Sequence, residues 1–391
     1  LRFTALIFLV IIASSSPATG GGGTVATHWQ RPVKVHPSLT SKALSPKSCG
    51  QCHIEKLGEW SGSLHGRSMG PGLLFQLDPL TDPETARACY FCHAPLSAQS
   101  EVIIDKGKAL REGVFVLNNK YDESLKLTGV SCAVCHARGE VVAGPVAPLL
   151  NGLKKGAGTG HKTRREGFFE EAEFCAACHQ LKEGFRLNGR LLVNTFTEWK
   201  ESAFGRAGIV CQSCHMPGRR HLFRGIHDAE MARSGIAVEL SGVKKKEATA
   251  ARLTITNNGT GHYYPTYATP LIVVKGFLTD NAGSPLKGTV RVKYIGRRLA
   301  LDLSEEIFDT RIAPLKTFVF DYPLKKTAGA KSVVFTAVVY PDEFYKRFYE
   351  YYLTQETTGK IKKQIEEAHK NSSTSDYILF KKELPLSDIF N

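Results

Sequence analysis

Five copies of one short pattern carry the chemistry of this 391-residue chain. They are Cys49-x-x-Cys52-His53, Cys89-x-x-Cys92-His93, Cys132-x-x-Cys135-His136, Cys175-x-x-Cys178-His179 and Cys211-x-x-Cys214-His215. Together they use all ten cysteines. Two thiols one helical turn apart can form thioethers to the two vinyl groups of a haem, and the adjacent imidazole then lies under the iron as its proximal ligand. A disulfide framework is the ordinary reading of an even cysteine count in an exported chain. It gives no reason for a histidine after every second cysteine. Tetrahedral zinc joins two such pairs without those histidines, and a redox dithiol needs a single pair. The pattern predicts five covalently bound haem c groups.

The sixth ligands divide the functions open to such a chain. A haem held by two protein ligands moves electrons, whereas one with an open face can bind and transform a small molecule. Only Met69, Met216 and Met231 could serve as thioether ligands, so mainly bis-His ligation is expected. His65 sits in Glu59-Trp60-x-x-Ser63-x-His65-Gly66-Arg67, a pattern that recurs as Glu198-Trp199-x-x-Ser202-x-Phe204-Gly205-Arg206. Phe204, in place of the histidine, reads as an apolar lid on a porphyrin. His161 and His262 share Gly-Thr-Gly-His, where glycines let backbone approach a flat macrocycle. His221 and His227 follow the fifth motif. The plainer reading of His65 is a satisfied core or surface histidine, and that of the glycine-flanked pair a turn. His28, His36 and His369 are expected to be solvated. Five distal candidates, His65, His161, His221, His227 and His262, match five irons, which favours electron transfer over catalysis.

Composition narrows the classes further. With 42% hydrophobic and 23% charged residues the chain is ordinary globular material, neither disordered nor a polytopic membrane protein. The formal charge of +14 would suggest an anionic partner. Loss of Arg2 with a leader, and about −1 for each ferric haem with its propionates, bring it to roughly +8. Arg164, Arg165, Arg219, Arg220, Arg224, Lys154 and Lys155 lie near the motifs or candidate ligands and are expected to compensate propionates. Nucleic-acid binding is not expected.

These groups must be positioned by surrounding elements. Arg2 and the apolar run from Ala5 to Ala13, with Ser16 and Ala18 placed for cleavage, predict a signal peptide over 1–18 and an exported, periplasmic or extracellular protein. The run is too short to span a membrane, and no later segment in the sequence reaches that length. The motifs begin 40, 43, 43 and 36 residues apart, too close for independent apolar cores, so the haems themselves are expected to form the core of a mainly helical and loop domain over 19–235. Beyond it alternation begins. Strands are predicted at Ala251–Thr256, Leu271–Leu278, Val290–Ile295, Phe318–Tyr322 and Val333–Tyr340, with helices at Phe344–Tyr352 and Lys360–Lys370. This pattern predicts an immunoglobulin-like antiparallel β-sandwich over 236–391, and an α+β protein as a whole.

The Trp60-x-x-Ser63-x-His65 pattern after the first motif, and Cys211-Gln212-Ser213-Cys214-His215-Met216-Pro217 with His221 and His227 behind it, resemble multihaem cytochromes of the cytochrome c554 type. The likeness spans residues 45–230. It implies stacked haem pairs, mainly bis-His ligation and electron transfer, as in the tetrahaem acceptor of hydroxylamine oxidation. A fifth haem and the long C-terminal extension depart from that pattern. Since the family includes members with a five-coordinate haem, the alternative is a reductase or oxidase of a small nitrogen or sulfur compound. A subunit of an extracellular cytochrome filament, or another homo-oligomer, is the structural alternative. The expected partners are redox proteins of respiration: other cytochromes, quinol-linked membrane donors or terminal reductases.

Overall fold

A computed structural model describes residues 41–80, 83–104, 115–138, 141–146, 163–181, 184–245 and 248–390. The expected leader at 1–18, His28, His36, Lys154, Lys155 and His161 lie outside the described residues. The protein is mixed α+β, with short helices preceding antiparallel sheets. Among the described residues, no helix is long and apolar enough to cross a membrane.

Two compact units interleave along the chain. One gathers the described residues up to Gln180, Ile209–Phe223 and Thr357–Ala368. The other takes Leu181–Gly208, Arg224–Glu356 and the residues from His369 onward.

In the first unit, each haem motif begins within or at the end of a short helix: Pro46–Gly50, Pro83–His93, Cys132–His136, Glu173–His179 and Cys211–His215. Helices this short are unstable alone, and their apolar neighbours form small clusters. One joins Leu44, Leu96, Leu125, Val134 and Ala137; another joins Met69, Leu77, Tyr90 and Ala94. Buried Gln99 links them to the chain path: it accepts from the Leu96 N–H and donates to the carbonyls of Leu125 and Gly129. Trp60, in the helix Ile54–Ser61 that follows the first motif, donates Nε1–H to the Val130 carbonyl at 2.8 Å, tying that helix to the entry of the third motif. Gly129 has φ +62° and lies against the His65 carbonyl. A side chain there would be strained and crowded at once.

The second unit contains eight longer strands: β1 (Ile236–Lys245), β2 (Ala248–Asn257), β3 (Leu271–Thr279), β4 (Arg291–Leu299), β5 (Glu306–Asp309), β6 (Thr317–Leu324), β7 (Ser332–Tyr340) and β8 (Tyr377–Pro385). They form two antiparallel sheets, one ordered β5-β4-β3-β7-β8 and the other β6-β2-β1. In the first, Ile272 lies opposite both Ile295 and Val339. In the second, Leu253 lies opposite Phe320 and Leu240. These rows share one core, where Phe335 meets Phe320 edge-on at 5.3 Å. All five expected strands are present, with β4 extending to Leu299, and so are both helices, as Glu343–Leu353 and Gly359–Ser373. The expectation omitted β1, β5 and β8. Ile236, Val238 and Leu240 alternate in β1, but their signal abuts a helix ending at Ser234. β5 has only four residues, and β8 carries Lys381 and Lys382 as a charged sheet edge.

Candidate functional site

None of the ten motif cysteines is paired in a disulfide. Within the first unit, thiols of different motifs come within hydrogen-bonding reach. Cys132 donates to Cys49 and, with the Cys49 backbone bond, outweighs burial to lower that thiol to about 7. Cys178 likewise bonds to Cys92, and Cys175 to Cys211. Burial and the neighbouring Cys92 push Cys89 up to about 11. The first and third, second and fourth, and fourth and fifth attachment segments are therefore neighbours.

The imidazoles pair in the same unit. His136, from the third motif, faces His221 with ring centroids 6.0 Å apart and planes at 31°. His179, from the fourth, faces His65 at 6.1 Å and 57°. An imidazole–metal bond of about 2.0 Å on each side, plus the nitrogen-to-centroid distance, places two axial imidazoles roughly 6 Å apart across one metal. The separations thus fit a haem iron between each pair. Phe169 stacks on His136 at 5.1 Å, and Phe223 meets His65 edge-on at 4.4 Å.

Hydrogen bonding gives a second fit. His136 Nδ1 contacts the Ala143 carbonyl at 2.8 Å, His93 Nδ1 that of Ser68 at 2.9 Å, His221 Nδ1 that of Arg219 at 3.2 Å and His262 Nδ1 that of Tyr263 at 2.9 Å. A carbonyl can only accept, so Nδ1 carries the proton and Nε2 keeps the lone pair a metal needs. Burial also favours the neutral ring. It lowers His93 and, aided by the charge of His136, His221; it lowers His65 to about 4, with His215 adding to the effect.

His227 is turned differently. Its Nε2 lies 3.0 Å from both carboxylate oxygens of Asp342. His369 likewise directs Nε2 to Ser373 and Glu350. His53 is exposed, and His215 is half-buried at the end of its helix. Among the described residues, no three His, Cys, Asp or Glu side chains gather to hold a metal ion by themselves. The rings come together two at a time.

The five described arginines expected near propionates have protein partners. Arg219 pairs with Glu170, Arg220 with Glu59, Arg224 with Glu230 and Arg164 with Glu166, while Arg165 donates to the Pro145 carbonyl. Sequence reasoning missed Phe169, which stacks on a candidate ligand but stands in no recognisable pattern. It also missed the roles of Glu59 and Glu198, whose recurrence four residues before each motif serine was the available signal. Phe204 and Trp199 lie under Gly261, where an added Cβ would meet both at about 3 Å.

The two halves of the recurring pattern fold alike. Ser63 bonds to the Trp60 carbonyl and receives the Gly66 N–H, and Ser202 does the same with Trp199 and Gly205. At both glycines a Cβ would strike the tryptophan carbonyl. The phenylalanine thus stands on the same local scaffold as His65.

Comparison with known proteins finds two likenesses. The family described as cytochrome c554 and c-prime matches residues 48–137, which hold the first three motifs. The crystal structure of a penta-heme cytochrome c552 from Thermochromatium tepidum is similar in fold, with a TM-score of 0.60 and 19% identity over 87% of this chain and 98% of that one. No curated protein matches the chain in sequence. Residues 48–137 thus resemble the cytochrome c554 and c-prime family, and the chain as a whole, with its five CxxCH motifs, shares its fold with a penta-heme cytochrome.

Proposed function

We propose that the protein is exported and transfers electrons through five covalently bound, mainly bis-His haems. The observation that carries this reading is the facing of His136 with His221 and of His65 with His179 at 6.0 and 6.1 Å. Haem supplies the one-electron chemistry. The chain's own residues would, in this reading, hold each iron from both sides, keep the imidazoles neutral and bring attachment segments of different motifs close together. In this reading Cys49, Cys52, Cys89, Cys92, Cys132, Cys135, Cys175, Cys178, Cys211 and Cys214 form the thioethers. His53, His93, His136, His179 and His215 are proximal, and His65, His161, His221 and His262 are distal. Redox proteins are the partners.

The sheets support an immunoglobulin-like topology for the C-terminal strands. Orders β1-β2-β6 and β8-β7-β3-β4-β5 follow the variable-type arrangement, one sheet lacking its fourth strand.

A second reading has its own observation. With His227 Nε2 held by Asp342, one iron has no assigned distal histidine, which favours one five-coordinate haem able to bind a small nitrogen or sulfur compound. Low-temperature EPR of the oxidised protein separates the two. Low-spin signals alone support the wire, and a high-spin ferric signal accounting for one haem supports the open site.

A further inference from the structure

Two buried glutamates, one in each copy of the recurring pattern, make the same unusual contact. Glu59 Oε2 accepts the backbone N–H of His221 at 2.7 Å. Glu198 Oε2 accepts the backbone N–H of Tyr263, the residue after His262, at 3.0 Å. Their side chains are 6% and 3% exposed. Each copy therefore reaches, with its first residue, the loop that bears a candidate axial histidine.

Both loops need external support. Around His221, Arg219 and Phe223 adopt positive φ of 61° and 47°, and Gly218 one of 62°. Non-glycine residues rarely hold such angles unless their surroundings impose them. Lys56 and Arg220 also donate to this carboxylate, at 3.0 and 2.8 Å, Arg220 from within the loop itself. Around His262, Asn257 and Thr260 both donate to the His262 carbonyl. Glu198 takes the following N–H and also accepts from Thr266 at 2.7 Å. The backbone is thus held on both sides of the histidine.

We propose that Glu59 is a positioning residue, holding the backbone of its loop so that His221 meets an iron, and that Glu198 fixes the backbone beside His262 by the same contact. The inference rests on the bis-His reading above, and it explains why the pattern retains glutamate where the second copy has lost the histidine. A hydrogen bond from a backbone N–H to a side-chain oxygen is directional, so it can set a ring's position without touching it.

The test compares variants of the intact holoprotein, each confirmed by mass to carry five haems, by low-temperature EPR and by the rate of cyanide binding. His221→Ala should turn one haem high-spin. Glu59→Asp keeps the charge for Arg220 but withdraws the oxygen from the His221 N–H; it should produce the same high-spin signal in part of the molecules and several-fold faster cyanide binding. Glu59→Gln, which retains an acceptor oxygen, and Arg220→Ala, which removes only the ion pair, should remain low-spin. If His221→Ala is unchanged, the ligation reading itself fails. If His221→Ala responds while Glu59→Asp matches the wild type, or if Arg220→Ala or Glu59→Gln reproduces Glu59→Asp, the positioning role is overturned. Should Glu59→Asp not mature, Glu59→Ala, which also withdraws the oxygen from the His221 N–H, read against Arg220→Ala makes the same decision.

Discussion

His65 and His179 face one another with ring centroids 6.1 Å apart, although one follows the first haem motif and the other closes the fourth. In the bis-His reading proposed above, the pairing makes His65 the distal ligand of the haem on the fourth motif. His65→Ala should convert the haem on Cys175 and Cys178 to high spin, giving a ferric EPR signal from about one fifth of the iron, and should leave the remaining haems low-spin. A variant with an unaltered spectrum would reject the assignment.

His227 is expected to behave otherwise. Its Nε2 is engaged by Asp342, so His227→Ala should preserve every low-spin signal present in the wild type. Appearance of a new high-spin haem in this variant would return His227 to the ligands.

Haem stoichiometry tests the covalent chemistry directly. Denaturing mass spectrometry should find five haems on the mature chain, and replacing Cys211 and Cys214 by alanine should remove one of them. An unmodified chain with thiols or disulfides would contradict the whole reading.

Arg297 offers a test of the sheets. Its side chain is fully buried, pairs with Glu306 at 2.7 Å and donates to the carbonyls of Leu191 and Leu187. Those carbonyls belong to a hairpin turned by Asn188-Gly189, both with positive φ. Arg297→Ala leaves the buried Glu306 carboxylate without its cation, with the Asn188 amide still donating to it, and removes the donor to the Leu187 and Leu191 carbonyls, a loss of about 3–5 kcal/mol. Denaturant titration of the β-sheet signal should show it, and a loss below 1 kcal/mol would contradict the burial argument.

Asp309 links acidity to the same region. Burial opposes its ionisation, yet bonds from Arg311 and Arg190 hold its carboxyl below the ordinary 3.8. A depressed folded-state value contributes stability above the unfolded value, and that stability disappears as pH falls through the folded one. Glu198, pushed upward by burial, has the opposite sign, present below its ordinary 4.5 and lost as pH rises through its folded value. Asp309→Asn should therefore flatten the acid side of the stability profile below about pH 4, as read by thermal unfolding against pH. An unchanged slope would count against the Asp309 contribution.

Much of this architecture was legible beforehand, for identifiable reasons. Haem attachment is a local pattern, so five motifs could be read from spacing alone. Alternation exposed β2, β3, β6 and β7, whose inward residues Leu253, Ile272, Phe320 and Phe335 are buried. Pairings such as His136 with His221 were not legible, because they depend on how segments 85 residues apart meet. The contacts of Glu59 were hidden for the same reason: a carboxylate on an exposed-looking helix gives no sign that a distant backbone N–H awaits it. His227 looked equivalent to His221 because both follow the fifth motif; only the side chain of Asp342 distinguishes them.

The interleaving of the two compact units constrains how such a protein can be dissected or recombined. A chain cut at Gly235 would lose Gln364 and Lys360, which both reach Asp78 of the first unit. It would also separate Leu181–Gly208 from the sheets with which that stretch is grouped. The haem-bearing part is consequently not a portable cassette with an appended sandwich. Gene shuffling that respects only the apparent midpoint would break both halves, so inheritance of the whole weave is the simplest route by which this design can spread.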